Sequence, residues 1–290
     1  MTKTAGVLAL LLIATPVARA QSAPAPEAPA PVPASEAPAP SVPELPYSLT
    51  VDATVTGVAI VGWVGSELLK SHLAPSTCRW CDPPGFDSSV RDALRWSDTE
   101  RANVISYVVP LGVEPLVVFG LDALAARDAK APPRTAWVDV LLISEATAVA
   151  MAMNQAVKFI VGRERPFVHA LPEAEKPLTA HPSDNNVSFY SGHSTFAFAM
   201  AVSGGTVASM RRYRLAPWIW ASGLALAAAS GYLRIAADRH YFSDVMTGAV
   251  IGSATGFAMP YLFHNPARRV MVAPAPLDHG GAGLAVRGHF

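Results

Sequence analysis

Long apolar segments separated by short polar connections dominate the chain from about residue 50 onward. Ala, Val, Leu and Gly fill these segments, and each is longer than a typical strand, so each predicts a helix. Six helices are predicted, at roughly 52–70, 103–126, 136–161, 193–210, 216–236 and 243–264. The pattern therefore predicts an all-α fold built on one helical bundle.

Polar side chains interrupt several predicted helices: Glu114, Asp122, Asp139, Glu145, Asn154 and Gln155. In a helix that spans a membrane they would have to face the bundle interior, whereas in a soluble bundle they would mark the wet face. Small residues would let neighbouring helices approach closely in either setting. These residues include Gly204, Gly205, Gly248, Gly252 and Gly256.

The segments outside residues 47–265 differ in composition from the helical domain. Residues 1–20 combine a positive start, an apolar run and an Ala-x-Ala site, which is typical of a cleaved signal peptide; an uncleaved membrane anchor is the alternative. Residues 21–46 are rich in Ala and Pro, and we interpret them as a disordered linker. Residues 266–290 alternate apolar and small residues, which predicts a short, β-hairpin-like tail.

Composition and charge narrow the classes of function. Hydrophobic residues make up 51% of the 290 residues and charged residues only 15%, which is enough apolar material for one sizeable core. The mean hydropathy of +0.29 indicates a membrane protein or a tightly packed helical domain. The net charge is zero and the chain has no basic run, so nucleic acid is not an expected partner.

Cys78 and Cys81 are the only cysteines in the chain. After a secretory signal, such a pair favours a local disulfide in an oxidising compartment. A redox motif would need a surrounding βαβ pattern, and a zinc site would need further ligands nearby, so both are weaker alternatives.

The stretch 231–244 contains the first candidate chemistry. On a helix, the i, i+4 spacing of His240 and Asp244 places both side chains on one face. A carboxylate that accepts from one ring nitrogen leaves the other free as a nucleophile. Arg234 adds a cation whose shape suits phosphate oxygens. On these residues alone, a solvated helix start is the simpler interpretation.

Two further blocks precede this stretch: Lys158 with Arg165-Pro166, and Ser191-Gly192-His193. In their order and spacing the three blocks resemble the type-2 phosphatidic acid phosphatase superfamily, which also contains bacterial class A acid phosphatases and vanadium haloperoxidases. The pattern of that family is Lys-x6-Arg-Pro, then Pro-Ser-Gly-His, then Ser-Arg-x5-His-x3-Asp. The sequence departs from it at two positions, Tyr190 for Pro and Leu233 for Ser, and neither position transfers a proton in the family scheme.

The resemblance implies a six-helix bundle and a role for each matched residue. His240 would attack phosphorus and become a phosphohistidine, Asp244 would orient it, and His193 would act first as an acid and then as a base. The phosphate-binding groups would be three cations and two backbone amides at a helix start: Lys158, Arg165, Arg234, Ser191 and Gly192. The family needs no metal and no other cofactor.

The connection from Phe167 to Phe189 is long and rich in Pro, His, Asp and Asn, which is typical of a lid or a substrate-facing loop. His169, His181 and Asp184 within it allow a metal-site interpretation. Their spacing matches no recognised motif, and solvated loop side chains are the simpler alternative.

Basic residues cluster on one side of the predicted bundle, whereas the three blocks and the cysteines lie on the other. The basic residues are Arg127, Lys130, Arg134, Arg211, Arg212, Arg214, Arg268 and Arg269. By the positive-inside rule, the second side would be periplasmic. A cleaved signal conflicts with this orientation if all six helices cross the membrane. The conflict disappears if helix 52–70 does not cross, or if the domain is soluble. We favour an inner-membrane protein with a periplasm-facing site over a soluble periplasmic domain.

Several functions fit the predicted site. The leading hypothesis is a metal-independent phosphatase or pyrophosphatase for lipid phosphates, such as phosphatidic acid, phosphatidylglycerol phosphate or an isoprenyl pyrophosphate. A periplasmic acid phosphatase for small phosphate esters is the close alternative, and a vanadium haloperoxidase is a further one. A membrane anion binder without catalytic activity belongs to another class. The paired histidines argue against it, because a binder needs neither a nucleophile nor an acid.

Overall fold

A computed structural model describes residues 42–267, 270–276 and 282–288. The expected signal peptide at 1–20, the linker up to residue 41, and the basic pair Arg268 and Arg269 lie outside these residues.

The described residues form α-helices that confirm the all-α fold. In chain order they are α1 (Leu49–Leu68), α2 (Lys70–Leu73), α3 (Gly85–Leu94), α4 (Thr99–Val108), α5 (Glu114–Asp128), α6 (Pro133–Val161), α7 (Pro166–His169), α8 (Gly192–Met210), α9 (Ala216–Ala236) and α10 (Phe242–Phe263). A π-helical turn at Val109–Val113 joins α4 to α5, and 3-10 turns cover Lys176–Leu178 and Pro182–Asp184. All six predicted helices are present, the second as α4 and α5 together. The short helices α2, α3 and α7 are additional. Helices α2 and α7 have four residues each, which is too short for an apolar period.

Two strands follow the helices, β1 (Val270–Pro276) and β2 (Ala282–Gly288). They pair antiparallel, with Val270 opposite Gly288 and Pro276 opposite Ala282. The described part of the tail therefore has the hairpin-like pairing that its alternating pattern predicts.

Helix α8 forms the centre of the bundle and packs against α6, α9 and α10. Its contact with α10 is close because glycines of α10 face the α8 backbone. A Cβ atom at Gly252 would lie 2.5 Å from the carbonyl oxygen of Thr195, and one at Gly256 would lie 2.5 Å from that of Ala199. The two helices could not approach this closely with larger residues, as the small-residue pattern predicts.

Five helical stretches of the described residues are long and apolar enough to cross a membrane: Leu49–Leu68, Thr99–Asp128, Pro133–Val161, Ala216–Ala236 and Phe242–Phe263. Large apolar side chains on their outer faces are exposed, such as Val61 of α1, Leu116 of α5 and Val250 of α10. Polar residues within the helices, such as Glu114 and Asp122, are instead fully buried. The chain is therefore a membrane protein, and these polar groups face the bundle interior.

The segment before α1 binds the end of the bundle where α6 begins and α8 and α10 end. Leu45 is buried there. The carbonyl oxygen of Pro43 accepts from Nη1 of Arg211 at 2.8 Å, and that of Pro46 lies 2.9 Å from Nδ1 of His264. Helix α1 therefore starts at the end of the bundle opposite the one where α6 ends and α8 and α10 begin.

We expect Gly252→Ala to destabilise the protein by about 1–3 kcal/mol, because the added methyl group would overlap a backbone carbonyl of α8. Thermal unfolding in detergent measures the effect. The matched control is Gly120→Ala in α5, where a Cβ atom meets nothing within 4 Å. That variant should be as stable as the parent protein or slightly more stable, since alanine favours a helix. Equal melting temperatures for the two variants would contradict the close packing of α8 on α10.

Candidate active site

A pocket of about 260 Å³ lies at the end of the bundle where α6 ends and α8 and α10 begin. It brings the three sequence blocks together. The predicted site residues that line it are Lys158, Arg165, Gly192, His193, Arg234 and His240. Two other predicted residues, Ser191 and Asp244, are fully buried and do not line the pocket.

The end of α6 sets the position of the first block. Lys158 lies in the last turn of the helix and is buried. The helix stops at Gly162, whose φ of +61° is in the left-handed region that glycine adopts without strain. An extended segment then leads to Arg165, and Pro166 begins α7. This turn carries the chain back to the pocket, so that Lys158 and Arg165 both line it.

Backbone carbonyl groups hold the guanidinium of Arg165. Its Nε donates to the carbonyl of Asp184 at 2.7 Å, and its Nη1 donates to that of Arg239 at 3.1 Å. Nη1 also lies 3.5 Å from Nε2 of His240. Because carbonyl groups orient the side chain without neutralising it, the positive charge of Arg165 is left for a bound anion.

Arg234, near the end of α9, is held by two side chains of α4. Its Nη1 donates to Oδ1 of Asn103 at 3.1 Å and to Oγ of Ser106 at 2.7 Å. Both partners are neutral, and Arg234 makes no ion pair with the described residues. It is 2% exposed, so its charge faces little competing solvent.

The turn between α9 and α10 depends on Asp238, which has a φ of +58°. Aspartate tolerates this left-handed conformation better than most residues. Arg91 of α3 binds the Asp238 carboxylate with two hydrogen bonds of 2.5 and 2.7 Å, and Arg95 lies 3.2 Å from it. Helix α3 thus fixes the turn that carries His240.

His240 lies before α10 and not within it, since the helix begins at Phe242. The assumption that His240 and Asp244 share one helix is therefore wrong. The two side chains nevertheless lie close together, with Nδ1 of His240 3.6 Å from Oδ2 of Asp244, just beyond hydrogen-bond distance. In this arrangement the carboxylate faces one ring nitrogen, while Nε2 lies on the side of Arg165.

Three donors hold the Asp244 carboxylate. Oδ1 accepts from Nη1 of Arg163 at 2.6 Å, and Oδ2 accepts from Oγ of Ser188 at 2.6 Å and from the backbone amide of Tyr241 at 2.9 Å. The contact with Tyr241 also caps the start of α10. Asp244 therefore joins the second and third blocks and fixes the helix that follows them.

Sequence reasoning missed Arg163, which is 1% exposed and pairs with both Asp244 and Asp87. The sequence signal that could have pointed to Arg163 is its position directly after Gly162, the residue at which α6 ends. Asp87 gives no such signal, because nothing in its local sequence indicates a partner 76 positions away.

The second block opens α8. His193 lies in the first turn, where the ring of Tyr107 packs edge-on at 4.4 Å, and its buried Nε2 has no hydrogen-bond partner within the described chain. The backbone amide of Ser191 donates to the carbonyl of Asp244 at 3.0 Å, and its hydroxyl caps α8. The prediction that this amide binds phosphate is therefore corrected: Ser191 is structural, and Gly192 is the residue that lines the pocket.

Positive charge dominates the pocket because its acidic groups are already paired. Lys70 lines the pocket and contacts Asp184 at 2.8 Å and also Glu67. Burial alone would raise the pKa of Asp184, but Arg165 and Lys70 lower it to about 2, so it remains ionised. Four cations line the pocket with two carboxylates, Glu67 and Asp184, so positive charge is in excess by two.

One group with metal-ligand composition occurs among the described residues, and it lies apart from the pocket. Asp52, Glu145 and His264 are buried with their ligand atoms within 4.8 Å of one another. Both ring nitrogens of His264 already face oxygen partners, Glu145 at 3.2 Å and the carbonyl of Pro46 at 2.9 Å. These contacts tie the segment before α1 to the end of α10.

Two of the three loop residues weighed as metal ligands have other partners. Asp184 pairs with Lys70, and Nδ1 of His169 lies 3.1 Å from Oε2 of Glu164. Asp184 lines the pocket, so the loop from Phe167 to Phe189 does contribute to the site. Cys78 and Cys81 form a disulfide.

Parts of the chain are similar to known proteins. The PAP2 superfamily matches residues 139–268. A lipid A 1-phosphatase from Porphyromonas gingivalis is 31% identical over 118 residues, which cover 40% of this chain but only 22% of that relative. A solved structure, a transmembrane PAP2 type phosphatidylglycerolphosphate phosphatase from Bacillus subtilis, is 15% identical, with a TM-score of 0.42 over 72% of this chain and 93% of that one.

The fold and the pocket define a helical membrane protein whose three sequence blocks converge at one end of the bundle. The part of the chain that carries these blocks is similar to the PAP2 superfamily.

Burial, followed by the positive charges of Arg165 and Arg234, lowers the pKa of His240 well below 6.5. The neutral ring is the form that can act as a nucleophile, so a lowered pKa keeps His240 competent in weakly acidic solution. We expect NMR titration of ring-labelled protein in detergent to place the midpoint of His240 below 6.5. The signal of His240 is the one that disappears in the His240→Gln variant. A midpoint above 6.5 would contradict the lowering of its pKa by burial and the two arginines.

Proposed function

We propose that the protein is a metal-independent phosphatase that hydrolyses lipid phosphates or pyrophosphates through a phosphohistidine. The observation that carries the proposal is the convergence of Lys158, Arg165 and Arg234 with two histidines in one pocket. Phosphoryl transfer depends mainly on positioning and on neutralising the equatorial oxygens, and this set of residues supplies both.

In the proposed first step, Nε2 of His240 forms a bond to phosphorus as the bond to the leaving oxygen breaks. A protonated His193 gives its proton to that oxygen, so the alcohol leaves neutral. Asp244 stabilises the positive charge on the His240 ring. In the second step, His193 takes a proton from water, the resulting hydroxide attacks phosphorus, and the P–N bond breaks. Inorganic phosphate is released and both histidines return to their starting state.

A lipid substrate is supported by the apolar part of the same pocket. Trp63, Leu111, Met151 and Phe196 line it beside the cations. An acyl or polyprenyl chain would find apolar contacts there, and the phosphate would lie at the helix ends. The relatives named above act on lipid A and phosphatidylglycerolphosphate, which makes both useful test substrates. The five apolar helices argue against the alternative of a soluble acid phosphatase for small esters.

The site also has the charge and the histidines that a vanadium haloperoxidase uses to hold vanadate. Vanadate loading followed by halide oxidation would distinguish that alternative. The lowered pKa of His240 and the partner-free Nε2 of His193 favour hydrolysis over simple anion binding.

Phosphate release by the purified protein in detergent, with chelator present, tests the proposal. Phosphatidic acid, phosphatidylglycerol phosphate, a polyprenyl pyrophosphate, lipid A and an aryl phosphate are the substrates to compare. We expect metal-free release from at least one lipid, and we expect His240→Ala to lower it by about a thousandfold or more. The matched control is His72→Ala, an exposed histidine of α2, which should keep full activity.

Two outcomes would change the proposal. Faster turnover of the aryl phosphate than of every lipid would favour a broad acid phosphatase. Release from none of the substrates by folded protein would exclude the hydrolase.

We propose further that the pocket faces the periplasm. Basic residues at the opposite end of the bundle support this orientation by the positive-inside rule; they are Arg127, Lys130, Arg134, Arg211, Arg212 and Arg214. The disulfide at the pocket end is also suited to an oxidising compartment. Helix α1 starts at the basic end, so this orientation places residue 42 in the cytoplasm if all six long helices cross. A cleaved signal peptide would instead leave that residue in the periplasm. The same experiment therefore also tests the expected signal peptide.

Labelling with a membrane-impermeant maleimide tests the orientation, since the native cysteines are joined and do not react. Glu173→Cys places a thiol on the pocket side, and Arg214→Cys places one at the opposite end; both side chains are highly exposed, at 89% and 87%. We expect Glu173→Cys to react in intact spheroplasts and Arg214→Cys only after lysis. The reverse pattern would place the pocket in the cytoplasm.

A further inference from the structure

The disulfide loop before α3 is joined to the segment that carries the first block. The backbone amide of Arg79 donates to the carbonyl of Gly162 at 2.9 Å, and that of Glu164 donates to the carbonyl of Trp80 at 3.1 Å. Nη1 of Arg79 also donates to the carbonyl of Ile160 at 2.7 Å. The loop therefore binds the last turn of α6 and pairs with the extended residues after it.

Within this pairing, Trp80 lies against Arg163. The guanidinium carbon of Arg163 is 3.9 Å from the centre of the Trp80 ring and 4.4 Å from that of Tyr241. Cation–π contacts are strongest when both groups are removed from water, as they are here for the buried Arg163. The two rings, together with Asp87, leave Arg163 little freedom to turn away from Asp244.

The same segment reaches the second oxygen of the carboxylate. The carbonyl of Arg163 accepts from the backbone amide of Ser188 at 3.0 Å, and Oγ of Ser188 donates to Asp244 at 2.6 Å. Both oxygens of Asp244 are thus held by groups that rest on residues 163–164, and these residues in turn rest on the disulfide loop.

We propose that the loop closed by Cys78 and Cys81 is a positioning element for the carboxylate behind His240, with Trp80 and Arg163 as its positioning residues. The disulfide keeps Trp80 packed on Arg163, and Arg163 keeps Asp244 facing Nδ1 of His240. This inference rests on the proposed function, because it assigns to the loop a share in the phosphatase reaction. It predicts a defect in turnover and not in substrate binding, since the loop contacts none of the three pocket cations through a side chain.

Three variants of the full-length protein in detergent test the inference: Cys78→Ala with Cys81→Ala, Trp80→Leu, and Arg163→Lys. We expect each to lower kcat by about 10- to 100-fold, the scale expected for a misplaced catalytic group, with KM changed by about twofold or less. Trp80→Phe keeps an aromatic face and should retain most of the activity. Trp218→Leu, at an exposed tryptophan of α9, is the matched control and should leave kcat unchanged.

A second measurement does not depend on turnover. Ring ¹⁵N shifts of His240 report which nitrogen carries the proton, and a well-placed Asp244 selects the Nδ1–H tautomer. We expect this tautomer in the parent protein and a mixture of tautomers in the three variants that alter the disulfide loop or Arg163. Thermal unfolding shows whether each variant is folded at the assay temperature. If the double cysteine variant does not fold, Trp80→Leu, which retains the disulfide, still tests the inference.

The outcomes separate this inference from the proposed function. Folded variants with unchanged kcat and an unchanged tautomer would overturn the positioning role while the phosphatase stands. A rise in KM alone would also overturn it, because the loop would then only shape the pocket. If the parent protein releases no phosphate, the proposed function fails, and the tautomer of His240 decides by itself whether the loop positions Asp244.

Discussion

The gathering of three buried cations in one pocket is the constraint on which the rest of this structure depends. Lys158, Arg165 and Arg234 repel one another in surroundings that screen charge poorly. The backbone carbonyl oxygens of Asp184 and Arg239 hold Arg165, and the side-chain oxygens of Asn103 and Ser106 hold Arg234. These neutral groups orient the two arginines without cancelling their charge. The result is a site prepared for an anion, because the work of bringing the cations together is done in folding and not in binding.

Helix ends supply the residues that meet at this site. The ends of α6 and α9 and the starts of α8 and α10 come together at one end of the bundle. Glycines allow this convergence, since Gly248 and Gly252 let α10 lie directly on the α8 backbone. The carboxylate of Asp244 then serves several purposes at once: it caps α10, binds the second block through Ser188, and faces His240.

A second layer of charge lies behind the pocket, and it has a different character. Arg163 and Asp87 pair with each other and with neighbouring groups, so they add rigidity and no free charge. Breaking a buried pair of this kind is costly because it leaves an uncompensated charge. This layer extends to the disulfide loop, which connects the surface of the protein to the orientation of the ring that the proposed mechanism uses as a nucleophile.

The sequence alone determined the helical class, the six long helices and six of the residues that line the pocket, because apolar periods and short motifs are local properties of the chain. It left open whether His240 lies inside α10, because the predicted helix begins at about residue 243 whereas the i, i+4 interpretation needs a helix from His240. Nor could it show that the Ser191 amide is used by Asp244, or that Asp87 holds Arg163. Those partners are 53 and 76 positions apart and meet only when the helices pack. Tertiary structure decides such pairings, because a buried polar group must find its partner in space and not along the chain.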